Sequence, residues 1–396
     1  YGVQKKSDVT GAMARVGEKE LKAMPVRNAL EGMQGKTAGV DITSSQRPGE
    51  VGNINIRGQR SINAEQGPLY VVDGMVIQNG GIENINPSDI EAIDILKDAS
   101  ATAIYGSRGA NGVILVTTKK GKEGKVTLNY SGTVTFETLH DVTEMMSAAE
   151  WLDYARLAKY NAGSYASATP TYEADKAAFG SVTASWKNIE KAWVNGVYDP
   201  SLVGSYDWAS HGKQTGITHE HTLSASGGSD KFQGYASFGY LDQKGTQPGQ
   251  AYERYTLKTS FDVTPVNWFK MGSSINASYS TQDYGYSFSK SVTGSGDFYS
   301  ALRSMIPWTV PYDENGEYVR YPSGDVNIIN PIRELDYNTN QRRTFRASAS
   351  LYSQIDFGKI WKPLEGLSYR LQFGPEFQFY TLGVANAADG INGDGN

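Results

Sequence analysis

Two short stretches of the chain carry residues that could bind phosphate or a metal ion. Residues 35–37, Gly-Lys-Thr, look like the end of a phosphate-binding loop. That motif needs a glycine five positions earlier, where this chain has Leu30, so a helix C-terminus is the better interpretation. His219 and His221 share one face of a predicted strand, but no third ligand for a metal is visible. We therefore interpret the two histidines as residues near the outer rim of a sheet.

The C-terminal tail has oxygen ligands at a spacing similar to that of a calcium loop: Asp389, Asn392, Asp394 and Asn396. The glycine and the distal glutamate of such a loop are missing, so a glycine-rich loop is the simpler interpretation. No Ser–His–Asp or paired-carboxylate arrangement stands out, and none of the 4 histidines has a catalytic context. We predict no catalytic residue, no bound metal and no cofactor, and we do not expect an enzyme.

Composition excludes several classes of protein. The chain has 396 residues, ample for more than one unit, and a formal net charge of −5. Cysteine is absent, so there is neither a disulfide framework nor a thiolate metal site. No run of 18 apolar residues is present, so the sequence predicts no transmembrane helix. The mild negative charge argues against nucleic acid as a ligand.

Seven stretches alternate apolar and polar residues for longer than an ordinary sheet requires. In residues 125–137, for example, Leu128 and Val134 lie on one face, and Asn129 and Thr133 lie on the other. A soluble strand usually stops after about 5–6 residues, whereas a strand that crosses a bilayer at a tilt needs about 9–11. We predict the seven strands at residues 125–137, 219–226, 232–241, 254–263, 269–279, 345–357 and 367–381.

The apolar faces of these strands contain no charged residue. A Lys or Arg that faces lipid at mid-depth costs about 2–4 kcal/mol, so this absence fits a membrane. A soluble all-β binding or adhesion protein with the same faces turned inward stays open as an alternative, because alternation alone does not say which face is outside. Strand length and the joints between strands favour a transmembrane antiparallel β-barrel.

The joints between the strands are alternately short and long. Residues 227–230 and 264–267 are tight turns, and residues 358–366 form a slightly longer one. Outer-membrane barrels have short periplasmic turns and long outside loops. Two of the remaining joints are too long for ordinary connections, so we expect them to be functional extracellular loops, at residues 138–218 and 280–342. The first of these contains a predicted amphipathic helix at residues 148–162.

Residues 1–121 form a different unit, which lacks the long strands. Helices are predicted at residues 26–36 and 99–105, the second capped by Asp98 and ended by Gly106. Short apolar strands are predicted at residues 40–42, 54–56, 69–72, 93–96 and 113–117. We predict a small α/β domain over residues 1–121 and the first part of a barrel over residues 122–396. Seven strands leave two edges open in lipid, so we expect the front part of a longer chain, or one piece of a nicked one.

Four stretches of the first unit match a known family in detail. They are residues 55–58, Asn-Ile-Arg-Gly; residues 68–74, Pro-Leu-Tyr-Val-Val-Asp-Gly; residues 85–91, Ile-Asn-Pro-Ser-Asp-Ile-Glu; and the string Leu-Lys-Asp-Ala-Ser-Ala-Thr-Ala-Ile-Tyr-Gly-Ser-Arg-Gly-Ala-Asn-Gly-Val-Ile at residues 96–114. Together they strongly resemble the plug of TonB-dependent outer-membrane transporters, specifically the SusC/RagA family of Bacteroidota. The long string is the most specific of the four, and the first stretch alone would be weak.

The resemblance implies an N-terminal plug inside a barrel of about 22 strands when complete, of which this chain covers the plug and about seven strands. It implies active import of an oligosaccharide across the cell outer membrane, energised by TonB with ExbB and ExbD. The partners it implies are a SusD-like lipoprotein lid, dimers of transporter–lid pairs, and surface glycoside hydrolases and glycan-binding lipoproteins. Import of a peptide, or of a metal chelate or cofactor, is the alternative.

The resemblance also indicates where energy enters the protein. Family members carry a TonB box just before a Tyr-Gly-x-Gln-Lys-Lys stretch, and this sequence opens with that stretch. The box itself and the N-terminal extension domain common in the family are not in the sequence. The residues expected next to TonB are Tyr1, Gly2, Gln4, Lys5 and Lys6.

Substrate is expected between the upper plug, the long loops and the lid. Candidate contacts lie on the plug loop 59–66 and on the second long loop: Arg60, Ser61, Asn63, Glu65, Tyr284, Tyr286, Trp308 and Tyr312. Aromatic rings there can stack on sugar rings or pack on the lid, and we slightly favour packing. For the plug loop, a solvated surface segment is an equally good interpretation.

Overall fold

The computed structural model describes residues 13–21, 26–58, 67–78, 80–98, 103–140, 143–285 and 298–390. Within these ranges, no helix is both long enough and apolar enough to cross a membrane. Two bodies of structure follow one another along the chain. A small α/β domain comes first, and one large antiparallel sheet follows it.

The α/β domain is built on a five-stranded sheet of order β1-β6-β7-β4-β5. Its strands are β1 (Met13–Gly17), β4 (Leu69–Val72), β5 (Met75–Val76), β6 (Ile90–Leu96) and β7 (Val113–Thr118). A separate pair joins β2 (Val40–Ile42) to β3 (Ile54–Ile56), and two short helices are α1 (Glu18–Leu21) and α2 (Ala29–Met33). Isoleucine and valine side chains of β6 and β7 pack with α2 in one hydrophobic core, in which Ile93, Ile95 and Ile114 are fully buried.

Local structure in this domain differs from the sequence prediction in three places. The helix expected at residues 26–36 is shorter, because α2 ends at Met33 and Gly35 takes a left-handed conformation with φ of 71°. Of the helix predicted at 99–105, residues 103–105 are described, and they belong to a 3₁₀ helix over residues 103–109 that is broken at Gly106. Strands β1 and β5 were not predicted, since β5 has two residues and neither has an apolar run.

Seven long strands form the second body, in the order of the chain. They are β8 (Gly124–Glu137), β11 (Gly216–Gly228), β12 (Phe232–Lys244), β13 (Gln250–Val266), β14 (Phe269–Tyr284), β15 (Asn338–Asp356) and an edge strand in two parts, β16 (Ser368–Phe373) and β17 (Glu376–Asn386). Every neighbouring pair is antiparallel. The plug-and-barrel architecture predicted from the sequence is confirmed, and most of the strands run further outward than predicted.

The edge strand is interrupted in pairing but not in register. Leu351 pairs with Phe373, and Ser348 pairs with Glu376, so both parts continue the same alignment along β15. Pro375 stands in the gap, where it cannot donate a backbone hydrogen bond but still accepts one from Ala349 at 3.0 Å. The predicted strand at residues 367–381 is therefore one continuous strand in geometry.

The two faces of the sheet differ sharply in exposure. Apolar side chains point away from the first domain, as Leu128 at 72% exposed and Leu257 at 52% exposed illustrate. The opposite face is polar and packs on the first domain, and Lys258 on that face is only 1% exposed. Apolar outside and polar inside is the arrangement of a transmembrane barrel wall, the reverse of a soluble β-sandwich.

The long joints of the sheet lie at residues 138–215 and 285–337, close to the predicted 138–218 and 280–342. The first holds α3 (Ala148–Asn161), α4 (Tyr172–Phe179) and α5 (Thr183–Glu190), together with the hairpin β9 (Trp193–Val194) and β10 (Val197–Tyr198). The second holds α6 (Phe298–Arg303) and α7 (Pro331–Tyr337). The helix predicted at 148–162 is confirmed as α3, which begins with a capping box formed by Ser147 and Glu150.

We predict that Leu128→Arg impairs barrel assembly in the full-length protein, because a lipid-facing Arg near mid-depth costs about 2–4 kcal/mol. The matched control is Asn129→Arg, which places the same charge one residue away on the polar face. Assembly is measured as the fraction of heat-modifiable, folded barrel on semi-native gels. Equal assembly of the two variants would contradict the assignment of the apolar face to lipid.

Candidate functional site

The first domain is seated on the sheet through a buried polar cluster around Lys258 of β13. The Lys258 ammonium donates to Thr118 Oγ1 at 2.6 Å, to Ser274 Oγ at 3.1 Å and to Asn276 Oδ1 at 3.3 Å. Both hydroxyls in turn donate to Asp73 Oδ2, Thr118 at 2.5 Å and Ser274 at 2.6 Å. All three ammonium protons are used, so the buried charge is fully satisfied.

A tight turn between β4 and β5 presents Asp73 to this cluster. Asp73 and Gly74 both have positive φ, 48° and 83°, which is the pattern of the Asp-Gly type I′ hairpin. The Asp73 carboxylate lies 3.9 Å from the Lys258 ammonium, and its carbonyl accepts from Ser350 Oγ at 3.4 Å and Gln372 Nε2 at 3.3 Å. Together with the hydrogen bond from Ser274, these contacts join one turn residue to four strands of the sheet, β13, β14, β15 and β16.

Asp73 is held in its ionised form. Burial works to raise the pKa of the Asp73 carboxyl, but the Lys258 ammonium and the hydrogen bonds from Ser274 and Thr118 outweigh it. The pKa is consequently lower than the usual value for an aspartate. We call this contact of Asp73 and Thr118 with Lys258 and Ser274 the Lys258 seat. At neutral pH it is an ion pair with hydrogen-bonding partners, and not a neutral hydrogen bond.

A second set of contacts lies beside the first. Asp89, at the 3₁₀ turn before β6, accepts from Tyr235 at 2.8 Å and from Ser237 at 2.5 Å, both on β12. Asn86 of the same turn donates to Thr222 Oγ1 of β11 at 2.9 Å. These contacts, like those of Asp73, are entirely polar, so they can be replaced by water when the domain moves.

We predict that Lys258→Met loosens the seat strongly, because it leaves the Asp73 charge buried without a partner, at a cost of about 3–5 kcal/mol. Hydrogen–deuterium exchange of residues 67–78 in the full-length protein measures this loosening. The double variant Lys258→Met with Asp73→Asn should exchange more slowly than Lys258→Met alone. A double variant that exchanges as fast as the single one would show that the two charges are not coupled.

A cavity of about 310 Å³ lies between the first domain and the sheet, on the side of the long loops. The sheet contributes the loop-side ends of β12, β13, β14 and β15 to its wall, among them Gln243, Ser280 and Thr344. Tyr284, one of the predicted substrate contacts, also lines it, with the Arg47 guanidinium carbon 5.9 Å from the centre of its ring. The cavity is large enough to take part of a ligand that arrives from the loop side.

The charged residues of the cavity are mostly arginines. Its lining holds five of them, Arg27, Arg47, Arg254, Arg342 and Arg346, against three acids, Glu31, Glu50 and Glu83. Arg27 pairs with Glu31 at 3.0 Å, and Arg346 pairs with Glu83 at 3.1 Å. Arg254 instead donates to two backbone carbonyls of the first domain, those of Glu83 at 2.7 Å and Arg27 at 3.3 Å.

The two long loops pack together into a unit with its own core. Trp308 of the second loop is 4% exposed and packs with Leu152, Trp186 and Ile189 of the first loop. Its carbonyl accepts from the side chain of Asn188 at 2.9 Å. The loops are therefore held mainly to each other.

A buried ion pair completes the core of this loop unit. The Arg156 Nε donates to Asp175 Oδ1 at 2.9 Å, and both residues are buried. Asp175 also accepts from the Tyr165 hydroxyl at 2.7 Å and the Trp193 indole at 3.0 Å. The guanidinium carbon of Arg156 lies 4.0 Å from the ring centre of Tyr198. Every oxygen of the buried carboxylate has a donor, so the pair fixes the fold of the loop and is not free to bind a ligand.

The structure places the predicted substrate contacts in different surroundings. Tyr284 lines the cavity, Tyr312 is 36% exposed and packs on Tyr318, and Trp308 is in the loop core. The other predicted contacts and the TonB-proximal segment lie outside the described residues: Arg60, Ser61, Asn63, Glu65, Tyr286, Tyr1, Gly2, Gln4, Lys5 and Lys6. Their roles stay predictions.

The other residues considered for chemistry have structural surroundings. The ring of His221 hydrogen-bonds through Nδ1 with the Tyr130 hydroxyl at 2.8 Å and stacks on that ring. Asp389 pairs with Arg333, and the rest of the oxygen-rich tail lies outside the described residues. In the described part of the chain, no group of three His, Cys, Asp or Glu side chains could hold a metal ion.

We predict that Trp308→Ala destabilises the loop unit by about 3–5 kcal/mol, as expected for removal of a buried indole. Limited proteolysis of the loops in the full-length protein measures this effect. The control is Tyr312→Ala, which removes a partly exposed ring of the same loop and should leave protection almost unchanged. If Trp308→Ala keeps the loops intact but abolishes ligand binding, the ring acts on the ligand and not on packing.

The sequence prediction missed the charged residues of the barrel's inner face. Arg254, Lys258, Arg342 and Arg346 all lie on the polar side of alternating strands. The signal was present in the sequence, because a charge on the lumen face of a barrel strand needs a partner or a ligand inside the lumen. The sequence does not predict which residues of the first domain contact each of these charged side chains.

Known proteins match the chain over its full length. The family described as TonB-dependent Receptor Plug Domain matches residues 5–113. TonB-dependent receptor P39 of Formosa agariphila is 32% identical over 396 residues, which are 100% of this chain and 34% of that protein. TonB-dependent receptor SusC of Bacteroides thetaiotaomicron is 28% identical over 401 residues, which are 98% of this chain and 36% of that protein.

A solved structure agrees with these matches. The RagAB peptide importer in its closed-closed state superposes with a TM-score of 0.74 and 27% identity, covering 98% of this chain and 43% of that one. The chain thus spans about a third of the length of the curated relatives it matches. The matched part runs through the plug and into the strands of the barrel.

Proposed function

The chain belongs to the SusC/RagA-type TonB-dependent receptors of the outer membrane, and we propose that its whole protein imports oligosaccharides with energy supplied through TonB. The observation that carries the proposal is the polar seat of the plug on the barrel wall. Lys258, Asp73 and Asp89 hold the plug through hydrogen bonds and charge, and in the described part of the chain no cluster of buried apolar residues joins the plug to the sheet. Such a seat closes the lumen and can still be opened by a pulling force, because water can take over each contact.

Force is proposed to enter at the plug's N-terminal side. Tyr1 to Lys6 precede β1, which is at the edge of the plug sheet and, among the described strands, pairs with β6 alone. Tension on an edge strand can peel it from β6 one residue pair at a time, which requires less force than shearing all five pairs together. The β4–β5 turn that carries Asp73 lies at the other edge of this sheet. We therefore expect the β1 edge to yield before the Lys258 seat.

Partner binding is proposed for the loop unit. A SusD-like lipoprotein lid is expected to rest on residues 138–215 and 298–337, with the cavity beneath it as the place where substrate is held. The two loops already share a core, so they offer a preformed surface and lose little further entropy on binding. Tyr284 in the cavity supplies an aromatic face of the kind that stacks on a sugar ring.

Peptide import is the second candidate. The likeness to the RagAB peptide importer covers almost the whole chain at 27% identity, and that protein's substrate class is a peptide. The same plug seat and cavity serve either substrate, because neither feature depends on the backbone chemistry of the cargo. A growth panel of oligosaccharides and peptides as sole carbon sources, read in cells with and without the full-length gene, separates the two.

We predict that uptake of the growth substrate stops in a strain without TonB, while binding to the cell surface remains. A fluorescent derivative of the substrate reports both quantities, as surface label and as protected periplasmic label. Deletion of residues 1–6 in the full-length protein should give the same split between binding and uptake. Undiminished uptake without TonB would overturn energised import.

A further inference from the structure

We propose that the cavity beneath the loops selects substrates that carry carboxylate groups, an acidic oligosaccharide being the form expected here. This inference rests on the proposed function, because it names the substrate class of the proposed importer. It is carried by the charges of the cavity and by one buried arginine whose donors are not all used.

The cavity concentrates positive charge in a chain that is negative overall. The whole sequence has a formal net charge of −5, whereas the five arginines and three glutamates of the cavity give it a formal charge of +2. Two acids outside this lining also interact with its arginines: Glu137 pairs with Arg27 at 3.5 Å, and Glu220 interacts electrostatically with Arg254. Arg47 and Arg342 have no ion pair with a carboxylate among the described residues, so the excess positive charge lies on these two side chains. A concave wall with excess charge of one sign focuses its field on a ligand of the opposite sign.

Arg254 is the clearest sign that a ligand group is missing. It is 2% exposed, and its Nε is buried without a hydrogen-bond partner among the described residues. Its two occupied donors go to backbone carbonyls, which carry no formal charge. Glu220 interacts with Arg254 through its charge, but among the described residues no carboxylate hydrogen-bonds to this guanidinium. An entering carboxylate would supply that contact and the opposite charge.

Arg342 lines the same cavity as Arg254, two strands further along the sheet. It lies on the lumen face of β15, and its guanidinium carbon is 5.2 Å from the ring centre of Tyr380. Within the described residues its side chain makes no ion pair with a carboxylate. Stacking on a ring leaves the edge donors of a guanidinium free, so Arg342 can bind a carboxylate without losing its support.

The strand supplies a matched control one residue away. Arg343 lies on the opposite face of β15, where its Nε donates to Gln341 Oε1 at 2.9 Å and the side chain is exposed. Arg342→Gln and Arg343→Gln therefore remove the same charge from the same strand, one inside the cavity and one outside it. In the described part of the plug, neither arginine has a hydrogen-bond acceptor, and neither belongs to the Lys258 cluster, so we expect neither substitution to disturb it.

The experiment measures binding to the purified full-length protein by calorimetry with four probes. These are a hexamer of galacturonic acid, its fully methyl-esterified neutral counterpart, a hexamer of glutamate and a hexamer of glutamine. We expect the acidic sugar to bind at least about tenfold more tightly than its neutral counterpart, as one charged hydrogen-bonded contact provides. Arg342→Gln should remove most of this preference, Arg343→Gln should not, and added salt should weaken the acidic probe selectively.

Each result decides the inference. Equal binding of the acidic and neutral sugars, or equal effects of the two arginine substitutions, would overturn it, as would the absence of any binding at millimolar probe. A charge preference only among the peptides would keep the carboxylate site and replace the oligosaccharide by an acidic peptide. TonB-dependent uptake of a neutral oligomer without charge preference would overturn this inference and leave the proposed function standing.

Discussion

The polar inner face of the barrel wall needs hydrogen-bond and charge partners from any domain that lies inside the barrel. In this chain the plug supplies such partners at the Lys258 cluster. Alternation along each strand turns apolar residues to lipid and leaves polar ones facing the lumen. Any domain inside that lumen then meets hydroxyls, amides and charges, so it can be held only by groups that satisfy them. Thr118, Asp73 and Asp89 do this for the plug. The hydrophobic core of the plug stays entirely within the plug.

This division gives the two bodies different kinds of stability. The plug sheet is closed by buried isoleucines and valines, which water cannot replace, whereas its attachment to the wall consists of contacts that water can replace. A pulling force therefore separates the neutral contacts at the wall more easily than it disrupts the buried core of the plug. Ion pairs are the exception at the boundary, among them Lys258 with Asp73 and Arg346 with Glu83, because separating two poorly solvated charges costs more than exchanging a neutral hydrogen bond.

Period and length in the sequence were sufficient to predict the wall, because each strand repeats one rule over many residues. Seven strands, their lipid faces and the joints between them follow from that rule, and a proline that breaks the pairing of the edge strand does not break its register. The plug was less predictable, because β5 has only two residues and β1 does not contain a run of apolar residues. Both segments become strands through pairing with their neighbours, β5 with β4 and β1 with β6. The cavity could not be predicted at all, since its wall residue Arg254 contacts plug residues more than a hundred positions away.

The loops show why aromatic composition alone does not identify a binding surface. Trp308 and Tyr312 are four residues apart on one loop, yet one is in a core and the other is 36% exposed. The difference comes from the first loop, whose α3 and α5 surround Trp308 and whose Arg156–Asp175 pair fixes that part of the loop. Tyr284 has the opposite setting, because it sits at the end of a barrel strand and faces the plug. A ring at the end of a rigid strand is positioned by the wall itself, which makes the strand ends, more than the loop tips, the part of this chain that can orient a ligand.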